Sequence, residues 1–160
     1  MIPIRRQACM FATALSLLSA VGTADASLIL NGSFEDNSAG GTVFNPSNAG
    51  FNSLINNVTA YGVRQGIDLQ TVGSGYGLAP IDGQWKVSPA SDLGGIAEEF
   101  SMTLSGPLVA GQGYDLDFYI ERLVSGPFDG GSVEIGLSTS AISFGTAVAS
   151  ATAPSAGWLL

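Results

Sequence analysis

The 160-residue sequence contains no histidine, and that absence removes much of the common catalytic chemistry. Ser-His-Asp and Cys-His nucleophilic sites need an imidazole base, and His-ligated zinc needs imidazole nitrogens. Cysteine is nearly absent too: the single Cys9 sits in the apolar N-terminal stretch and does not follow a Leu-Ala-Gly type lipobox. With no second thiol there is no intrachain disulfide, so the chain must hold together by core burial, with or without a metal. Basic residues are scarce, five Lys and Arg against thirteen Asp and Glu, for a net charge of −8. Past the N-terminal segment only Arg64, Lys86 and Arg122 carry positive charge. Three scattered cations cannot build a phosphate-binding face, which excludes nucleic acid and, by the same argument, an anionic membrane surface.

What is present begins with an export signal. Arg5 and Arg6 form a short positive region, Ala8 to Val21 an apolar one, and Ala24-Asp25-Ala26 a small-x-small cleavage site. The apolar run is shorter than the ~20 residues needed to cross a bilayer, so it reads as a secretory signal over 1–26 rather than an anchor. The expected product is one exported domain over 27–160, secreted or at the cell surface, with no membrane insertion after cleavage. Its charge is −9, twelve acids against three bases.

Within 27–160 no sustained 3.6-residue periodicity appears. Short alternating runs are instead separated by Gly, Pro, Ser and Asn clusters, the pattern of an all-β sandwich or barrel. The clearest predicted strand is Tyr114 to Val124, with Tyr114, Leu116, Phe118 and Ile120 inward and Asp115, Asp117, Tyr119 and Glu121 outward. Ser132 to Ser138 predicts another, with Val133, Ile135 and Leu137 inward. Further strands are expected over Ser27–Leu30, Gly66–Val72, Gln84–Ser88, Ile96–Leu104 and Ala141–Val148, and a long surface loop over Asn37–Asn57.

Two stretches carry a family resemblance. Leu28-Ile29-Leu30-Asn31-Gly32-Ser33-Phe34-Glu35 resembles the opening strand of secreted jelly-roll domains with a galactose-binding-like fold, a group that includes carbohydrate-binding modules and bacterial proteins with a PEP-CTERM sorting tail. Gly95 to Phe100, followed by Leu104-Ser105-Gly106-Pro107-Leu108-Val109-Ala110-Gly111-Gln112-Gly113-Tyr114 through Tyr119, is similar to their middle, and Ile135 to Ser138 and Gly157-Trp158 fit the same order. The resemblance implies an antiparallel jelly-roll β-sandwich, and from Gly157-Trp158-Leu159-Leu160 one that lacks closing strands at its C-terminal end. It also implies a structural calcium held through Glu35. The late Asp that partners it in relatives has no counterpart here, and neither does a Pro-Glu-Pro sorting tail.

Carboxylates are the one catalytic resource left. A glycosidase needs only two of them, but Glu98 and Glu99 are adjacent on a predicted strand and point to opposite faces. Asp115 and Asp117 share a face that simple solvent exposure explains. Sugar rings have apolar C–H faces that stack on exposed aromatics, which makes Tyr119, Tyr76 and Tyr61 the candidate ligand-binding residues. Trp85, in phase with Val87, reads as core. The expected function is a non-catalytic exported module with a binding or structural role, its partner a polysaccharide or cell-surface matrix. The alternatives are a carboxylate-dependent glycan hydrolase and a purely structural envelope protein. N-terminal sequencing of exported material is expected to begin at Ser27; intact Met1 material held in a membrane would refute cleavage after Ala26.

Overall fold

The computed structural model describes residues 28–91, 96–121 and 131–153. The expected signal segment, the turn at Gly94-Gly95, the Arg122–Gly130 stretch and the closing Gly157-Trp158 lie outside the described residues. Among the described residues, one short helix and six strands follow in chain order: α1 (Asn48–Leu54), β1 (Val58–Tyr61), β2 (Asp68–Thr71), β3 (Trp85–Ser88), β4 (Glu99–Met102), β5 (Ser132–Leu137) and β6 (Thr146–Thr152). The strands form three antiparallel pairs, β1 with β4, β2 with β3 and β5 with β6. This is a predominantly β chain with little helix.

The pairs are longer than their ladders. Beyond Met102 the β4 strand runs on to pair with residues 28–30, through Leu30 N–H to Thr103 O (2.8 Å) and Ser105 N–H to Leu28 O (2.7 Å). On β2, Leu69 lies opposite Val87 of β3 while its own N–H and C=O both bond Val43, at 3.1 and 2.8 Å. A strand residue sends both groups to one side, so Val43 occupies the edge of β2 that β3 leaves open.

The core sits between the β1–β4 pair, the β2–β3 pair and α1. Phe51, Ile55, Val58, Ala60, Ile67 and Leu69 are buried, and Phe34, Leu54, Trp85, Val87, Phe100 and Met102 pack against them half-buried. Trp85 and Val87 thus take the core position their shared phase predicts. Full burial of a Phe or Leu side chain contributes about 1.5–3 kcal/mol, and in a chain without disulfides this cluster is the main cohesive element.

Three expectations are corrected. The Asn37–Asn57 region is not a surface loop. Ser47 caps α1, its Oγ accepting from Gly50 N (3.1 Å), and the helix drives Phe51 to zero exposure. Asn, Gly and Ser are poor helix formers and seven residues are too few to show a period; packing of Phe51 and Leu54 holds a helix that propensity would not. The following strand β1 had no alternating signal either.

The clearest predicted strand does not form over its described part. Across 114–121 only Ile120 takes part in a β-bridge, and Tyr114 and Leu116 are 43% and 44% exposed. Alternation prescribes two faces but supplies no pairing partner, and a strand without a ladder is not stable. The Tyr114 hydroxyl instead accepts from Val109 N (2.8 Å), closing the Pro107–Gly113 turn on itself.

In the third pair, β6 starts five residues later than the start predicted at Ala141. β5 matches its expected span, but a register shift between Ile135 and Gly136 breaks the alternation. Val133 and Ile135 are half-buried as expected, whereas Leu137 is 46% exposed.

Candidate functional site

The thirteen residues joining Thr71 of β2 to Trp85 of β3 carry four glycines in left-handed backbone, Gly73, Gly75, Gly77 and Gly83, with φ from +66° to +85°. Tyr76 sits among them, 51% exposed, its ring edge-on to Phe44 with centroids 5.2 Å apart and planes at 67°. Phe44 is itself 45% exposed. It follows Val43 on the open edge of β2 and precedes Asn45, whose N–H bonds Asp68 Oδ1 at 2.7 Å. Strand β2 therefore brings both rings to one corner, one from its edge partner and one from its outgoing loop. Phe44 escaped the sequence reading because it falls in a stretch with no alternation.

Beneath Tyr76 lies a charged pair. Lys86 on β3 is 7% exposed, and its ammonium donates to Tyr76 O (3.1 Å), to Leu78 O (2.7 Å) and to Glu121 Oε1. The other carboxylate oxygen of Glu121 accepts from Leu78 N at 2.7 Å. Tyr119, two residues before Glu121, is 49% exposed, and Tyr114 and Leu116, expected on the opposite face, are exposed to a similar degree, so exposure does not separate inward from outward faces at these positions. Tyr61 lies elsewhere, half-buried on β1 opposite Glu99. Burial, and secondarily the negative charge of Glu99, pushes the Tyr61 phenol above its ordinary range. The structure thus gathers Tyr76 with Phe44, links the Tyr119 segment to that loop through Glu121, and leaves Tyr61 on the β1–β4 pair.

Glu35 anchors the same hairpin from its other end. The Asn31 side chain folds the preceding turn, donating to Asp36 O (3.1 Å) and Asn56 O (2.7 Å) and accepting from Asp36 N (2.9 Å). That turn delivers Glu35, whose Oε1 accepts from Gln84 N (2.7 Å) and Trp85 N (2.9 Å). Gly83 is required there: a Cβ on it would fall 2.2 Å from that oxygen. As a test of the calcium expectation, the described residues gather no group of three or more Asp, Glu, His or Cys able to hold a metal ion. One oxygen of Glu35 is already committed to backbone N–H groups.

Unlike the exposed Glu35, Glu98 is buried, 9% exposed; it accepts from Ala90 N at 2.8 Å and lies 3.6 Å from Arg64 Nε. Burial raises its pKa above the ordinary carboxylate range; the Ala90 bond and Arg64 oppose the shift, and Asp68 adds to it. Its neighbour Glu99 turns the other way, toward Gly62 and Tyr61. The two acids therefore face different surroundings, as the strand alternation requires. A separate apolar groove of about 400 Å³ is lined by Leu104, Pro107, Leu108, Leu137, Ser138 and Thr139, and none of the candidate tyrosines borders it.

No helix among the described residues is long and apolar enough to cross a membrane. No family model, no curated protein and no solved structure matches the chain.

Two measurements follow from the acids. Glu35→Ala removes a charged acceptor from two backbone donors at a partly solvated site and is expected to cost about 1–2 kcal/mol in denaturant unfolding. The loss should be the same in calcium and in chelator; a loss confined to calcium would make Glu35 a metal ligand. Because folding raises the Glu98 pKa, its contribution is present below the ordinary carboxylate pKa and declines as pH rises through the folded value. The stability of Glu98→Gln relative to the parent should therefore increase from mildly acidic toward neutral pH, and a pH-independent difference would contradict the shift.

Proposed function

We propose that this chain is an exported, non-catalytic β-module of the galactose-binding-like jelly-roll kind, which binds a polysaccharide or a glycan of the cell-surface matrix. One observation carries the reading: Tyr76 and Phe44 form an exposed aromatic corner on a loop pinned by buried groups. Two half-exposed rings offer π-faces to the C–H face of a pyranose, and a pinned loop loses little freedom on binding. Tyr119 belongs to the same neighbourhood through Glu121 and supplies a further exposed ring.

Two observations support a role without turnover. The sequence has no histidine. The half-buried and buried carboxylates at positions 98 and 121 are tied to backbone and cations in the fold. The export signal over 1–26 supports an extracellular location, and the net negative charge suits a neutral or cationic glycan better than an acidic one.

The test is affinity electrophoresis of residues 27–160 in gels carrying soluble xylan or mixed-linkage β-glucan, with a reducing-sugar assay on the same mixtures. Retardation without sugar release is expected. Tyr76→Ala should weaken binding about tenfold, the equivalent of ~1.4 kcal/mol of lost stacking, with the unfolding transition unchanged. Release of reducing ends would establish the hydrolase, and retardation by neither gel would favour a structural envelope protein.

A further inference from the structure

We infer that Lys86 and Glu121 are positioning residues: together they form a latch that sets the Gly75–Leu78 segment and so places Tyr76 against Phe44. The role in binding rests on reading that corner as the ligand surface; the latch itself does not.

The bonding pattern separates a latch from an ordinary buried ion pair. Lys86 donates to the carbonyls of Tyr76 and Leu78, the two residues flanking Gly77, as well as to Glu121. Glu121 returns a bond to the same segment by accepting from Leu78 N. Three loop groups within three consecutive residues are thus held by one pair of opposite charges. Both side chains are largely withdrawn from water, 9% exposed for Lys86 and 13% for Glu121. Such pairs add little net stability over apolar packing, because desolvation offsets the attraction. Their bonds nevertheless specify one arrangement, and removing one partner strands the other charge.

The loop needs such specification. Gly73, Gly75 and Gly77 all adopt positive φ, and glycine has the most conformational freedom to lose on ordering. Gly77 also makes room for the latch. With φ +66°, a Cβ at this position would fall 2.4 Å from Glu121 Oε1 and 2.7 Å from Lys86 Nζ. Any side chain there both strains the backbone and pushes the pair apart. The latch reaches across the chain as well: it ties β3 and its loop to residue 121, 35 positions from Lys86.

The experiment compares the 27–160 protein with Glu121→Gln and Gly77→Ala, reading amide hydrogen exchange and the Phe44–Tyr76 ring-to-ring nuclear Overhauser effect, neither of which needs a ligand. The second variant guards against misfolding of the first, since its substitution lies on the exposed loop. Both variants are expected to speed exchange at the Leu78 amide at least tenfold and to lose the ring contact, while protection of the β1–β4 amides stays unchanged. A uniform fall in protection across all strands, or a retained ring contact in both variants, would overturn the latch. Migration in xylan and β-glucan gels is read in parallel. If the ring contact is lost and retardation persists, the latch stands and the binding reading of Tyr76 fails.

Discussion

Strand β2 is the constraint on which the rest of the structure depends. Leu69 at its centre has no exposed surface, bonds Val43 through both backbone groups and faces Val87 across the β3 ladder. Its neighbours extend the same control: Asp68 holds Asn45 through a carboxylate oxygen, and Thr71 N bonds Thr42 Oγ1 at 3.1 Å. A short strand hydrogen-bonded on both edges and buried on its inner face cannot slip register without exposing Leu69 and stranding several backbone donors. The position of Phe44, the exit angle of the Tyr76 loop and the seat of Trp85 all follow from it.

The ionisable groups act mainly as pins for backbone. Glu35 holds the start of β3, Glu98 holds Ala90, and Lys86 with Glu121 holds residues 76–78. Without disulfides, a small β-domain with long connections needs some other means of ordering them, and charge-assisted bonds to backbone are the strongest available. This use of carboxylates bears on function. An acid whose lone pairs are taken by N–H groups is less free to move a proton for a substrate, whereas the loop it pins becomes a better platform for an exposed ring. Glu35, Glu98 and Glu121 thus each have a structural employment in the fold.

Several features were legible in the residues themselves. β2, β3, β4 and β5 fall inside the spans predicted by alternation and turn residues, and the core phase of Trp85 with Val87 followed from period two. The exposure of Tyr76 was also readable, from its glycine-rich surroundings. Phe44 and the Lys86–Glu121 pair were not. Phe44 sits in a stretch whose Asn, Gly and Ser content matches a loop, and Lys86 and Glu121 are too far apart in the chain for any local pattern to join them. The helix α1 was hidden for a related reason, since its stability comes from Phe51 entering a core made by distant strands.

The sequence by itself determined the chemistry open to this protein. Lack of histidine, of a second cysteine and of clustered cations depends on no coordinates, and the β character follows from glycine punctuation and period two. Only the tertiary structure decided which alternating segments become strands and which acids become pins. Tyr114–Glu121 shows why: it has the strongest period in the chain, yet its described residues form no ladder, because pairing needs a partner edge that local sequence cannot supply. The same dependence on distant residues placed Tyr76 against Phe44 and set Lys86 and Glu121 beneath them.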